Sequence, residues 1–261
     1  MLTLIAESKT MTLCDTPISA DTYAAHCPTL ETYADNIMAS LGDMSATELA
    51  TAVKISQTMA RRLVEMVYDF GNKTSGAAAI EAFTGVVFRA LSYKTLDSSA
   101  QRHICGKVRI ISSLYGWLRP DDIVKAYRLD FATPLAPPDN KTFKSYWRPY
   151  VTGCLLQYIE QNDCHEVLDL LPAEAAQCIE WRQVRQKASV HKAEFRELTD
   201  GSTTRTPNAG RLKTLRGELL RQIATDNITD ITGLYNLTGN NYISDTHPGA
   251  DGSIIFNTAA V

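Results

Sequence analysis

Arg109-Ile110-Ile111-Ser112-Ser113-Leu114-Tyr115-Gly116-Trp117-Leu118-Arg119-Pro120, with its continuation Tyr127-Arg128-Leu129-Asp130, is the stretch around which the chain is organised. Val108, Ile111, Leu114 and Tyr115 fall at helical spacing, which predicts a helix running in from about Ala100. Gly116 then supplies a C-terminal break, and Pro120 stops a helix from continuing through Arg119. The expected product is a buried helix that ends abruptly in an arginine-rich loop, a stiff mount for an exposed guanidinium. Between Arg102 and Arg128 there are six Lys/Arg against two Asp, in a chain whose net charge is −3. Positive charge is therefore concentrated here against the trend of the whole.

Upstream, Leu2 to Ala6 reads as a buried strand running into the polar loop Glu7-Ser8-Lys9-Thr10. In open α/β sheets that carboxyl end is where ligands bind. Residues 11 to 28 read as a connecting loop. Leu30 to Leu41 is helical by pattern with Thr29 as N-cap, and Ser45-Ala46-Thr47-Glu48 is a capping box opening a second helix. A third helix, about Gln57 to Phe70, carries Met59, Leu63, Met66, Val67 and Phe70 on one stripe.

Downstream, three prolines exclude a helix from Phe131 to Pro138. Thr142 to Asn162 is a long amphipathic helix, Glu166 to Leu171 a strand, and Pro172 opens a short helix through Trp181. Two or three strands fit between Gln183 and Thr206, with Asp200-Gly201 as a hairpin turn. A second basic element, Arg211 to Arg221, sets Lys213 and Arg216 three apart on one face, with Gly217 implying a close backbone approach. The chain closes on a hairpin built from Tyr242 to Ser244 and Ser253 to Phe256. The alternation predicts a mixed α/β (α+β) fold: one compact domain over residues 1–261, a central sheet with surrounding helices, and a helical insertion near 29–70.

Several function classes are excluded or left without support. A pI near 6.0 gives no whole-surface attraction to polyanions, so any polyanion needs a local patch. The six cysteines form no C-x-x-C pair and no metal-ligand spacing with the five histidines, and read as free thiols of a reducing compartment. No apolar run reaches membrane-spanning length, so no membrane partner is expected and a cytoplasmic location is. No Gly-rich phosphate fingerprint, G-x-S-x-G or H-E-x-x-H occurs, and we expect no cofactor and no metal.

Ser112-Ser113-Leu114-Tyr115-Gly116-Trp117-Leu118-Arg119-Pro120 with Tyr127-Arg128-Leu129-Asp130 resembles the YaaA family of bacterial peroxide-stress proteins, whose signature is S-x-L-Y-G-x-L-R-P followed by Y-R-L-[DE]. The family's S-P-A-K-T is represented by Ala6-Glu7-Ser8-Lys9-Thr10, which keeps Lys9 and Thr10. Its A-F-x-G-D-V-Y-x-G-L becomes Ala82 to Leu91, with Val86 at the acidic position, Phe88 at the tyrosine and Ala90 at the second glycine. Its K-x-x-R-G is reproduced by Lys213, Arg216 and Gly217. The resemblance implies DNA binding and limitation of oxidative damage under hydroperoxide stress. It also implies a helix-hairpin-helix, here degenerate, since Met59-Ala60-Arg61-Arg62-Leu63 has no glycine.

Lys9, Arg119, Arg128, Lys213 and Arg216 are thus expected to line one anion-binding cleft, because guanidinium and ammonium groups favour phosphate recognition. Thr10, Ser113, Tyr115 and Tyr127 join them as candidate binding residues. The partner is DNA or, alternatively, a phosphorylated or nucleotide-like small molecule acted on by an enzyme in which Lys9 or Tyr127 transfers the proton. The oligomeric state is left open.

Overall fold

The computed structural model describes residues 1–12, 16–133, 142–199, 203–249 and 251–259. The chain opens with β1 (Leu2–Ala6), buried from Leu2 to Ile5. Within the expected loop lies a helix, α1 (Ala20–Ala25), capped by Ser19. It buries no side chain and so leaves no apolar stripe to read. α2 (Glu31–Gly42), α3 (Ala46–Val53) and α4 (Gln57–Asp69) make up the helical layer. α2 has Leu30, not Thr29, at its N-cap and no side-chain cap bond. α3 has the expected capping box, with Glu48 accepting from the Ser45 amide at 2.7 Å. The turn between α3 and α4 is made by Lys54, left-handed at φ 57°. Met59 to Leu63, read as the degenerate hairpin, lies inside α4, with Leu63 buried and Arg61 and Arg62 exposed.

β2 (Ala77–Ala78), α5 (Ala79–Ala82), α6 (Val86–Leu91) and α7 (Ser98–Lys107) follow. Here the structure corrects the central expectation. The helix ends at Lys107, and the chain continues as β3 (Val108–Ser112), β4 (Gly116–Leu118) and β5 (Ile123–Val124). All of β3 is buried, so its apolar residues occupy both faces and mimic a helical stripe. Gly116 is a turn residue: it sits at φ +68°, and a Cβ there would come within 2.5 Å of the Trp147 ring.

α8 (Phe143–Gln161) runs from its Thr142 cap and donates Trp147 Nε1 to the Ser113 carbonyl at 2.7 Å. The remaining elements are β6 (Glu166–Asp169), α9 (Ala173–Ala176), α10 (Trp181–Val184), β7 (Ser189–Thr199), β8 (Thr203–Arg205), α11 (Ala209–Thr225), β9 (Ile243–Ser244) and β10 (Ile254–Ala259). β7 and β8 pair antiparallel, as a hairpin requires. Its expected turn at Asp200-Gly201, and the Pro-rich segment from residue 134, lie outside the described residues.

The main sheet has the order β4-β3-β1-β6-β7-β10-β9, with β8 also on β7. β3, β1, β6, β7 and β10 run parallel, and β4, β8 and β9 are antiparallel additions. The fold is mixed α/β with one continuous core. From β1 the chain goes on to β3, on one side, whereas from β6 it goes on to β7, on the other. The two loops diverge, leaving a crevice at the carboxyl ends of β1 and β6.

Candidate functional site

A cavity of about 350 Å³ occupies that crevice. Glu7 to Thr10 contribute from the end of β1, Leu170 and Pro172 from the end of β6, and Val86 to Phe88 from α6. Lys213 and Arg216 of α11 close the remaining side. α11 can stand this near because Gly217 carries no side chain: a Cβ there would lie 2.3 Å from the Val87 carbonyl oxygen.

Two segments distant in sequence, the loop after β1 and α11, therefore bring Lys9, Thr10, Lys213 and Arg216 to one cavity. Arg128 is outside its lining but serves it. Its guanidinium donates to the Lys9 carbonyl, while Asp130 holds the Lys9 ammonium at 2.7 Å. Tyr127 donates to Glu7 and contacts the Ser112 hydroxyl at 2.8 Å. The Tyr127–Asp130 segment is thus a clamp on the β1 loop. From the other flank, the Thr84 amide donates to the Thr10 carbonyl at 2.9 Å. A loop tied at this many points needs little further ordering to bind a ligand.

Arg119, Ser113 and Tyr115 are placed elsewhere. Arg119 donates to Asp122 at 2.7 Å and to the Ala25 carbonyl at 3.2 Å. Asp122 is fully buried and also accepts from the Arg119 amide at 2.8 Å. Burial raises the Asp122 pKa to about 6 despite this pairing. We therefore expect Arg119→Ala to cost stability, about 2 kcal/mol, because the pair is buried on the carboxylate side but partly solvated on the arginine side. It should leave anion binding in the cavity unchanged; chemical denaturation alongside a binding titration checks both. Tyr115 is buried, and its hydroxyl accepts from the Lys125 amide at 3.0 Å. Ser113 is fully buried beneath the site.

Tyr127 is buried, and burial with the adjacent Glu7 carboxyl pushes its pKa well above the ordinary value. At neutral pH it is a hydrogen-bond donor. The residue that sequence reasoning passed over is Glu7. It lines the cavity as a half-buried residue, and desolvation of its carboxyl raises its pKa to about 7. The nearby hydroxyls of Ser113, Tyr127 and Ser112 oppose that rise only in part. Ser113 Oγ acts at this range without a hydrogen bond of normal geometry, and Glu7 Oε1 likewise has no bonding partner.

Behind Arg216 the cavity adjoins a wider groove of about 1080 Å³, to which Arg148, Arg182, Arg185 and Lys192 contribute. Burial lowers the Arg216 pKa, and Asp169 works against that shift. Asp169 is itself buried, with a raised pKa that Lys192, Arg216 and Arg185 moderate. Among the described residues no group of three or more His, Cys, Asp or Glu side chains is arranged to hold a metal ion. Nor is any helix among the described residues long and apolar enough to cross a membrane.

The family model for peroxide stress protein YaaA matches residues 1–247. The chain belongs to the YaaA peroxide stress protein family. Its curated relatives include a UPF0246 protein of Rickettsia rickettsii (strain Iowa), 29% identical over 231 residues, covering 88% of this chain and 89% of the relative. A UPF0246 protein of Phocaeicola vulgatus is 26% identical over 261 residues (98% and 99%), and one of Alteromonas mediterranea 24% identical over 261 residues (98% and 97%). Of the six positions where this YaaA family member departs from the motif pattern, Ala6, Glu7, Ser8, Val86 and Phe88 line the one cavity, and Ala90 does not.

Proposed function

We propose that the protein serves the peroxide stress response by binding a phosphorylated or nucleotide-like small molecule in the cavity at the β1–β6 crevice. The observation that carries this is the meeting there of Lys9, from the end of β1, with Lys213 and Arg216 of α11, about two hundred residues further along the chain. The volume of about 350 Å³ falls in the small-ligand range of roughly 300–1,000 Å³. Lys213 and Arg216 hold the anion, Val86 and Phe88 give an apolar wall to the rest of the ligand, and the clamped loop presents Thr10 and backbone groups. The five motif departures in the wall point to a ligand of this member's own.

A second reading, contact with the DNA backbone, is favoured by the wider groove and its row of arginines. The two separate on salt. Binding through several DNA phosphates falls steeply with ionic strength, whereas a small anion in a cavity keeps stabilising the fold in moderate salt. Melting is to be followed with pyrophosphate, AMP and duplex DNA at low and moderate salt. At a hundredfold excess over Kd a small ligand should add about 2.7 kcal/mol. Lys213→Met and Arg216→Met should each remove that gain. A gain given by DNA alone, or one indifferent to both substitutions, would refute the small-molecule reading.

A further inference from the structure

We propose that the ligand carries two separate phosphate groups, one held in the cavity by Lys213 and Arg216, the other in the groove behind Arg216 by Arg185 and Lys192. The inference rests on the small-molecule reading above and narrows it from a phosphorylated ligand to a bisphosphorylated one.

The cavity and the groove meet along a shared wall, because Pro172, Glu174, Lys213 and Arg216 line both. Arg216 is half-buried there, and its Nε is enclosed without a partner. Among the described residues its guanidinium makes no hydrogen bond and no ion pair. A guanidinium offers five N–H donors in a rigid fork, more than one phosphate engages. An unpaired arginine at the junction of two spaces can therefore serve an anion on each side.

The groove has its own cations for a second group. β6 and β7 pair with Asp169 opposite Lys192, so these two side chains stand in one row of the sheet and on one face. Arg185 at the end of α10 and Arg216 of α11 act on the same carboxylate. Asp169 is buried and accepts from the Leu171 amide at 2.8 Å. Among the described residues none of the three cations forms an ion pair with it. Three positive groups thus gather around one carboxylate without being spent on it. Lys192 has one loose contact, to Glu194 at 3.6 Å, and Glu194 is shared with Arg196 at 3.2 Å. Arg185 lies 6.0 Å from the centre of the Trp181 ring, and its guanidinium makes no hydrogen bond or ion pair among the described residues. Over the whole groove six Lys/Arg stand against four Asp/Glu. So small an excess suits one discrete anion at the free cations better than a continuous run of DNA phosphates.

The test is calorimetry at moderate salt with adenosine 3′,5′-bisphosphate and fructose 1,6-bisphosphate, whose phosphates are differently spaced. Each is compared with the compound lacking the second phosphate, AMP and fructose 6-phosphate. At least one bisphosphate should bind about tenfold more tightly than its monophosphate, the gain from one further charge-assisted contact. In Arg185→Met and in Lys192→Met that ratio should fall towards one. Both residues are exposed, so the variants should fold and melt like wild type. Arg216→Met should weaken mono- and bisphosphate alike. If neither bisphosphate gains over its monophosphate, or the two groove variants keep the wild-type ratio, this inference fails and the cavity reading stands. Duplex DNA that displaces the bisphosphate at the same salt, and no longer binds either variant, would assign the groove to DNA and also overturn it. Absence of binding by all four compounds and by pyrophosphate overturns the cavity reading and this inference with it.

Discussion

Gly217→Ala should destabilise the protein by about 3 kcal/mol, and Gly217→Val by more. The added Cβ would lie 2.3 Å from the Val87 carbonyl oxygen and 2.7 Å from Ala90 Cβ, so α11 and α6 would have to separate. Neither obstacle is the end of a flexible side chain. Overpacking of this kind costs roughly 1–3 kcal/mol or more, and the gain of about 1 kcal/mol in helix propensity from Gly to Ala offsets little of it. For a chain of this size the melting temperature should fall by roughly 6–12 °C. The same displacement moves Lys213 and Arg216 away from Val86 and Phe88, so anion affinity should drop along with stability. A Gly217→Ala variant as stable as the parent would show that the two helices are not in close contact.

Glu7→Gln should have the opposite effect on stability, and only at higher pH. The folded pKa is about 7 against an ordinary value of 4.5, and the cause is burial. The protonated form is thus favoured in the folded state. Its contribution is complete below pH 4.5 and is lost as pH rises through 7. The difference amounts to about 3 kcal/mol. Glutamine is neutral throughout and still accepts from Tyr127, so the variant should match wild type near pH 4.5 and exceed it by up to about 3 kcal/mol at pH 8. Asp122 and Asp169, also raised, tilt both proteins in the same direction and cancel in the comparison. Melting curves of both proteins at the two pH values decide it; an equal gap at both would mean that Glu7 is not a buried titrating group.

How far the site could be read in advance differs from residue to residue. Lys213 and Arg216 were visible because a helix sets residues three apart on one face, and Gly217 because a mid-helix glycine costs stability unless something approaches closely. Lys9 stands out only through the family resemblance, since a lone lysine after a strand reads by itself as a solvated charge. Glu7 stood in the same loop but offered no local signal, since its partner Tyr127 is 120 positions away and a glutamate in a polar loop resembles a solvated charge. Arg119 is grouped with the anion binders although Asp121 and Asp122 stand two and three positions after it; that proximity is the sign of an internal ion pair. In the fold, the segment from Val108 to Tyr115 fits a helical stripe and a doubly buried strand equally well by spacing. The β-branched Val108, Ile110 and Ile111 are what favour the strand.

The position of β1 has a consequence for biosynthesis. Its hydrogen-bonding partners are Val108–Ile111 on one side and Val167–Asp169 on the other. A ribosome adding about 5–20 residues per second leaves roughly ten seconds or more between the emergence of β1 and that of β6. Throughout that interval Leu2, Leu4 and Ile5 have no completed sheet to enter, so the nascent chain presents an unpaired apolar strand. The centre of the sheet is made first and closed last, and newly synthesised chains should depend on chaperones that shield such strands.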